Sequence, residues 1–379
     1  MELIAIVVLI IIGVEIEIQI YKRFILPYII YDCYFSKEEV MEGEQFEIIE
    51  QVTNPSRLLV PFLKSEITTS NHLEFASNSS TVNDQTRSLA SLFSIHSKQK
   101  VTRTWKVNAM QRGIFDIKDT TIIGADLFGA YHYNNVIRIK SEIVVLPRPI
   151  DVGAYIEKVN EIQGECIVRR FILEDPFVIA GVREYTVRDA MNKIHWGITA
   201  SQGQLMVRNN EATAKRSLTI ILNNQLYKQQ PREITRDERL EYAIRIAAGE
   251  LDKTIKKSMP VRLLANGAVS KGGESLITTE MWGKTHVHEL MMLLACLEKA
   301  YTQQFDEFLK HSEASIVSTE VILITCYIDE SMIAFAREKG KLGINVKIYV
   351  LRYEADSKHY DDVQVYYLLD YLKEAGESI

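Results

Sequence analysis

Four short apolar runs decide the fold: Leu218-Thr-Ile-Ile-Leu222, Val261-Arg-Leu-Leu-Ala265, Val321-Ile-Leu-Ile-Thr325 and Val346-Lys-Ile-Tyr-Val-Leu-Arg352. Each has the length and the aliphatic, β-branched content of a buried strand. Helical periods lie between them. Arg236 to Lys257 puts Leu240, Ile244, Ala247, Leu251 and Ile255 on one face, and further helices are expected around Val287 to Lys299 and from Asp329 to Lys339, where Gly340 stops the last. Strands separated by roughly ten to twenty helical residues form a parallel sheet with right-handed crossovers, covered on both faces. The spacing predicts a doubly wound α/β domain over 214–355. A helical tail over 356–379 is expected to carry Tyr360, Tyr366, Tyr367 and Tyr371 as packing residues.

Upstream the pattern differs. From 37 to 147 the chain reads as short strands and turns: Phe46 to Val52, Asn54-Pro55, Leu58 to Ile67, Trp105-Lys-Val107 and Ile143 to Leu146. Strands without long helical periods indicate a β-sandwich. The polar interval Ser77 to Ser88 is expected to be a loop. A connecting segment, 148–213, joins the two regions.

At the N-terminus, Leu3 to Val14 is twelve residues with ten Leu, Ile or Val and no charge. Extended to Ile20 it reaches about 27 Å, close to a hydrocarbon core of roughly 30 Å. Residues 1–24 are therefore expected to be a transmembrane anchor. Met1-Glu2 is acidic and no small-residue cleavage site follows, so the reading is a retained span rather than a signal peptide. Lys22 and Arg23 after the run place the soluble domains in the cytoplasm by the positive-inside rule. The broken apolar stretch Phe24 to Phe35, interrupted by Pro27, is expected at the membrane surface.

Composition narrows the function. The 379 residues are 47% hydrophobic and 25% charged, which suits folded globular domains, and the net charge of −6 offers no attraction for nucleic acid. Cys33, Cys166, Cys296 and Cys326 lack paired metal or redox spacing and read as free thiols of a reducing compartment. Gly283-Lys284-Thr285 matches only the end of a phosphate-binding loop, because Thr278 stands at the first glycine. His286, His288 and Glu289 lack a further ligand for a metal. The densest unusual stretch runs from Gly181 to Trp196. Arg183, Glu184 and Asp189 can form ion pairs there, Tyr185, Ile194 and Trp196 supply apolar anchors, and His195 lies between. That set reads either as an interdomain clamp or as a partner-docking surface.

Arg183, Glu184, Tyr185, Asp189, Ile194, Trp196, Thr199 and Ala200 match a signature close to R-E-Y-x-x-G-D-x-x-R-x-I-x-W-x-x-[ST]-A. Through these residues the chain resembles the bacterial membrane-anchored proteins of domain-of-unknown-function family 58. Glu42-Gly43-Glu44, Arg112-Gly113-x-Phe115 and Asp126-Leu-Phe-Gly129 are similar to further elements of that family, in order. Arg188 replaces its glycine and Asn192 its arginine, as in a divergent member.

The resemblance implies a membrane anchor, a β-sandwich and a von Willebrand factor A-like α/β domain. It also implies association with a MoxR-type AAA+ ATPase, and sometimes with a transglutaminase-like membrane protein. Such domains often carry a D-x-S-x-S metal site. Here Asn223, Gln225 and Tyr227 occupy its positions, and Thr325-Cys326 stands where a Ser-Asp pair is usual, so a degenerate site without bound metal or other cofactor is expected; Asp329 is the nearest acidic substitute. The expectation is a non-enzymatic scaffold or adaptor at the cell membrane. The alternatives are an enzyme using Arg183, Glu184, Asp189 and His195 as an acid-base site, or an envelope-facing adhesion protein.

Overall fold

The computed structural model describes residues 2–76, 80–83, 85–163, 179–186, 191, 194–210, 216–230, 238–269, 273–353, 360 and 362–374. The chain divides into two compact units: Met1–Arg148 with Met291–Leu297, and Pro149–Leu290 with Glu298–Ile379.

The first unit opens with α1 (Glu2–Ile20), followed by a π turn (Tyr21–Ile25) and a 3₁₀ turn (Leu26–Tyr28) that contains Pro27. From Leu3 to Tyr28 this segment is long and apolar enough to cross a membrane, as an anchor or a signal sequence would be; Leu3 to Ile12 are exposed, whereas Tyr21, Ile25 and Leu26 at its end are buried. Strands follow: β1 (Ile30–Phe35), β2 (Glu39–Met41), β3 (Gln45–Thr53), β4 (Val60–Ser70), β5 (Leu73–Phe75), β6 (Ser80–Val82), β7 (Thr86–Ile95), β8 (Lys100–Ala109), β9 (Gly113–Asp116), β10 (Thr120–Ala125), β11 (His132–Ile137) and β12 (Glu142–Leu146). They form sheets ordered β1-β3-β8-β5, β11-β10-β4-β7-β6 and β2-β12-β9.

The two larger sheets are antiparallel and alternate inward and outward side chains. Phe46, Ile48 and Val52 of β3 share one buried core with Leu63 and Ile67 of β4 and Leu89, Phe93 and Ile95 of β7. That shared core makes a β-sandwich. Two expectations are corrected. The last part of Phe24–Phe35, expected at the membrane surface, is a sandwich strand: Ile30–Phe35 forms β1, which pairs with β3 and buries Cys33 and Phe35. The polar interval before Ser88 is partly strand, because β6 is an edge whose Ser and Thr side chains need no apolar partner.

The second unit comprises α2 (Gly153–Gln163), β13 (Ile179–Glu184), α3 (Trp196–Gln202), β14 (Met206–Asn210), β15 (Leu218–Leu222), α4 (Arg239–Lys257), β16 (Val261–Ala265), β17 (Leu276–Ile277), the first part of α5 (Lys284–Cys296, which from Met291 on belongs to the first unit), α6 (Phe305–Glu313), β18 (Glu320–Thr325), α7 (Glu330–Lys341), β19 (Asn345–Val350), β20 (Gln364–Tyr367) and α8 (Leu369–Glu374). Its six-stranded sheet has the order β17-β16-β15-β18-β19-β20. All neighbours are parallel except β17, which runs antiparallel to β16 at the edge. Every residue of β15 is buried, as a central strand covered by helices on both sides requires. On α4, Gly249 is obligatory: a Cβ there would lie 2.0 Å from the Ile150 carbonyl oxygen. The tail does not form a separate helix. Gln364–Tyr367 is the sixth strand of the sheet, and among the described residues of the tail Leu369–Glu374 is helical.

Candidate functional site

In an open α/β sheet the loops at the carboxyl ends of the strands, where the strand order reverses, form the natural binding crevice. Here that point lies between β15 and β18. The loop after β15 begins Asn223-Asn224-Gln225, all fully buried, and the loop after β18 begins Cys326-Tyr327, behind the last β18 residue Thr325.

These groups bind one another. Asn223 Nδ2 donates to Thr325 Oγ1 at 3.0 Å, and Thr325 Oγ1 donates to the Tyr327 carbonyl at 2.8 Å. Asn223 Oδ1 accepts the Gln225 amide at 2.9 Å. Gln225 Oε1 accepts the Phe305 amide at 2.7 Å, while its Nε2 donates to Gln304 Oε1 at 2.9 Å. From the end of β16, Asn266 Oδ1 accepts the Asn224 amide at 2.7 Å and Asn266 Nδ2 donates to the Gln303 carbonyl at 3.1 Å. Asn224 Nδ2 donates to the Glu298 carbonyl at 2.8 Å. Gly267 makes room for this contact, since a Cβ there would stand 2.1 Å from Asn224 Nδ2. Tyr227, one of the expected metal-site positions, is 49% exposed and stands outside the buried set.

Beside the network is a cavity of about 390 Å3 lined by Lys228, Gln230, Gln304, Asp306, Tyr327 and Asp329, among others. Asp329 caps α7 by accepting from the Met332 amide at 3.1 Å and the Ser331 hydroxyl at 2.7 Å, and Lys228 Nζ is 3.2 Å from its other oxygen. Burial alone would raise the Asp329 pKa, but these three donors outweigh it and hold the carboxyl below the usual range. Burial pushes the Tyr327 phenol up to about 12. Among the described residues no group of three or more His, Cys, Asp or Glu is placed to hold a metal ion. Neutral amides occupied with each other are poor ligands for Mg²⁺, which takes anionic oxygens and waters.

The expected signature lies on a smaller element. β13 pairs antiparallel with β14, and α3 lies between them in sequence. Ile194 is 3% exposed and bridges to Val207, which is fully buried. His195 caps α3, its Nδ1 accepting the Ile198 amide at 3.3 Å. Arg183 and Glu184 are both exposed. Arg183 Nη1 donates to the Glu184 carbonyl at 3.2 Å, and Gln204 Nε2 donates to Glu184 Oε1 at 3.2 Å. Tyr185 is half-buried, its amide bonded to the Leu205 carbonyl at 2.9 Å. Arg188, Asp189 and Asn192 lie outside the described residues. Trp196 does not pack into the protein as a clamp residue would: it is the first residue of α3, is 64% exposed, and α3 buries none of its residues. Ile194, two residues earlier, takes the buried place, and Met191 is 72% exposed.

Sequence reasoning missed Asn224, Asn266, Gln230 and Gln304. The available signal was an unbroken amide run at the end of a buried strand together with an Asn before Gly267. It also missed Glu50. That residue is fully buried in the sandwich, where it accepts from Tyr31 Oη at 2.9 Å, Ser91 Oγ at 2.8 Å, Trp105 Nε1 at 3.2 Å and the Ser65 hydroxyl.

No protein-family profile matches the chain, and no curated protein matches it. Among solved structures it is similar over 31% of its length to a CARDB domain from Pyrococcus furiosus, covering 90% of that chain at 12% identity and a TM-score of 0.20. A cohesin from Archaeoglobus fulgidus is similar over 34% of the chain and 96% of its own, at 11% identity and a TM-score of 0.21. Alpha-2-macroglobulin of E. coli is matched over 30% of the chain and only 7% of its own length, at 18% identity and a TM-score of 0.20.

Proposed function

We propose that this protein is a membrane-anchored docking protein without catalytic activity of its own, a divergent relative of the domain-of-unknown-function 58 proteins. In this reading α1 spans the cell membrane, both units face the cytoplasm, and the partner is a MoxR-type AAA+ ATPase, with a transglutaminase-like membrane protein as a further associate. The observation that carries it is the exposure of Trp196. Tryptophan is costly to leave in water and is enriched at binding hot spots, and Met191, Leu205, Arg183 and Glu184 are exposed on the same small element.

The six-stranded sheet supports a von Willebrand factor A-like reading of the second unit. Its single antiparallel edge strand and its loops at the β15 and β18 ends occur in a doubly wound sheet, and the metal-site positions of that family fall on Asn223, Gln225, Thr325 and Cys326. Their amide and hydroxyl network supports recognition by shape rather than through a bridging cation. The acid-base alternative has less support, because Arg183 and Glu184 stand in solvent and His195 is occupied as a helix cap.

The test is co-purification of the detergent-solubilised native complex with wild type and with Trp196→Ala. An AAA+ ATPase retained by wild type and lost by the folded variant supports the reading. Equal retention by both moves the contact elsewhere, and an ATPase absent from both removes the partner assignment. Cys296 labelled by an impermeant reagent in intact cells would favour the envelope-facing alternative.

A further inference from the structure

The end of the first unit that receives α1 carries exposed apolar side chains. Leu127 and Phe128, at the tip between β10 and β11, are 52% and 65% exposed, and Leu58, between β3 and β4, is 46% exposed. Phe24 and Tyr28, in the turns after α1, are each 61% exposed. Both loops are fastened to the helix and its first turn. The Leu127 amide donates to Glu17 Oε1 at 2.9 Å, and Tyr21 Oη donates to the Leu59 carbonyl at 2.7 Å. The tip is also a defined turn. The Gly129 amide donates to the Asp126 carbonyl at 3.3 Å, Asp126 Oδ1 accepts the Tyr131 amide at 3.1 Å, and Gly129 adopts a φ of 71° that favours glycine. Leu127 and Phe128 are thus held outward.

Helix geometry sets their depth. Glu2 bounds the apolar run on one side, and Lys22 and Arg23 bound it on the other. From Leu3 to Lys22, at about 1.5 Å per residue, the helix covers about 30 Å, the thickness of a hydrocarbon core. Glu17 lies five residues before Lys22, roughly 7 Å nearer the bilayer midplane. The Leu127 amide bonded to it sits at the same level. At that level Glu17 Oε1 accepts a backbone donor carried by the sandwich.

We infer that the Asp126–Gly129 loop is a second membrane contact, with Leu127 and Phe128 inserted among phospholipid acyl chains beside α1 and Phe24, Tyr28 and Leu58 flanking them at the interface. Aromatic and aliphatic residues at that depth match the interfacial preferences of membrane proteins. The inference rests on the reading of α1 as a span, and the experiment separates the two.

The full chain is reconstituted into phosphatidylcholine–phosphatidylglycerol vesicles that contain phosphatidylcholine brominated at either a shallow or a deep acyl position. Phe128→Trp and, in parallel, Ile10→Trp each add one tryptophan, whose fluorescence is read as the difference from the parent. Leu127→Trp gives a second reading of the loop should Phe128→Trp misfold. The expected result is several-fold stronger quenching of the loop tryptophan by shallow bromines than by soluble iodide, and quenching of Ile10→Trp by deep bromines. If Ile10→Trp is quenched by lipid while the loop tryptophans respond only to iodide, the loop faces water and the inference falls while the span stands. If no added tryptophan is quenched by lipid, both fall.

Discussion

At the residue scale, the polar groups that matter most are those whose burial is matched by donors. Glu50 takes an inward position of β3, in register with Phe46, Ile48 and Val52, and four side chains converge on it from β1, β4, β7 and β8. Glu50→Ala leaves those donors buried without an acceptor. The expected cost is about 3–5 kcal/mol, read as a lower midpoint in urea with little change in slope. The neighbouring Cys33 thiol is pushed up to about 12 by burial, with the Glu50 charge adding to it, so Cys33 resists alkylation in the folded protein. Asp329 gives a pH dependence. Its folded pKa lies below the ordinary 3.8, so its contribution is fully present above that value and is lost as pH falls through the lowered one. Asp329→Asn should flatten the acid limb of a stability–pH profile measured by urea unfolding. Glu50 was missed although the alternation of β3 puts it on the inward face, because alternation alone does not show that four donors converge on a buried carboxylate. Trp196 was not legible, because sequence shows that a ring is present but not which side of a short helix faces water.

At the scale of elements, the strand runs that open the reading correspond to β15, β16, β18 and β19, where period and β-branched content agree. The expectation failed where residue chemistry and pairing diverge. β20 carries two tyrosines and reads as part of a helical tail, yet Tyr366 and Tyr367 pair with Tyr349 and Val350 of β19. A sheet edge open for pairing overrides a weak local helical pattern. Helix α6 was missed although Phe305, Phe308, Leu309 and Ser312 are its buried stripe at helical spacing, because its nine residues are bounded by polar turns on both sides. The tightest contact between elements predicts its own test. Gly249→Ala would force a methyl group into the Ile150 carbonyl, and a loss of about 1–3 kcal/mol is expected in thermal unfolding. Trp196→Ala, in contrast, removes a ring that α3 does not bury, so its melting temperature should stay within what about 0.5 kcal/mol produces.

At the scale of the whole molecule, the described residues combine an N-terminal apolar helix, a sandwich and a mostly parallel sheet with helices. The mixed α/β class, the apolar N-terminal helix and the presence of several sheets were readable from periodicity alone. The partner was not, because periodicity reports what a side chain packs against inside the chain and is silent on what it meets outside. The crest of the second unit makes a prediction at this scale. Adding Mg²⁺, or removing it with a chelator, should leave the melting temperature unchanged in differential scanning fluorimetry, because Asn223, Gln225 and Thr325 have their polar atoms committed to neighbours.

That crest also has a chemical lifetime. Asn266 precedes Gly267, the neighbour that least hinders attack of a backbone nitrogen on an asparagine side chain, and such a sequence loses its amide readily in a loose chain. In the folded crest the Asn266 side chain is pinned by the Asn224 amide and the Gln303 carbonyl, away from the bent geometry that cyclisation requires. If cyclisation and hydrolysis do occur, the product carboxylate faces the Gln303 carbonyl oxygen that formerly accepted a hydrogen bond from the amide, and the loops are driven apart. Deamidation at this one residue therefore records how often the crest opens, and ageing of a preparation can be followed by mass spectrometry as a clock of its local unfolding.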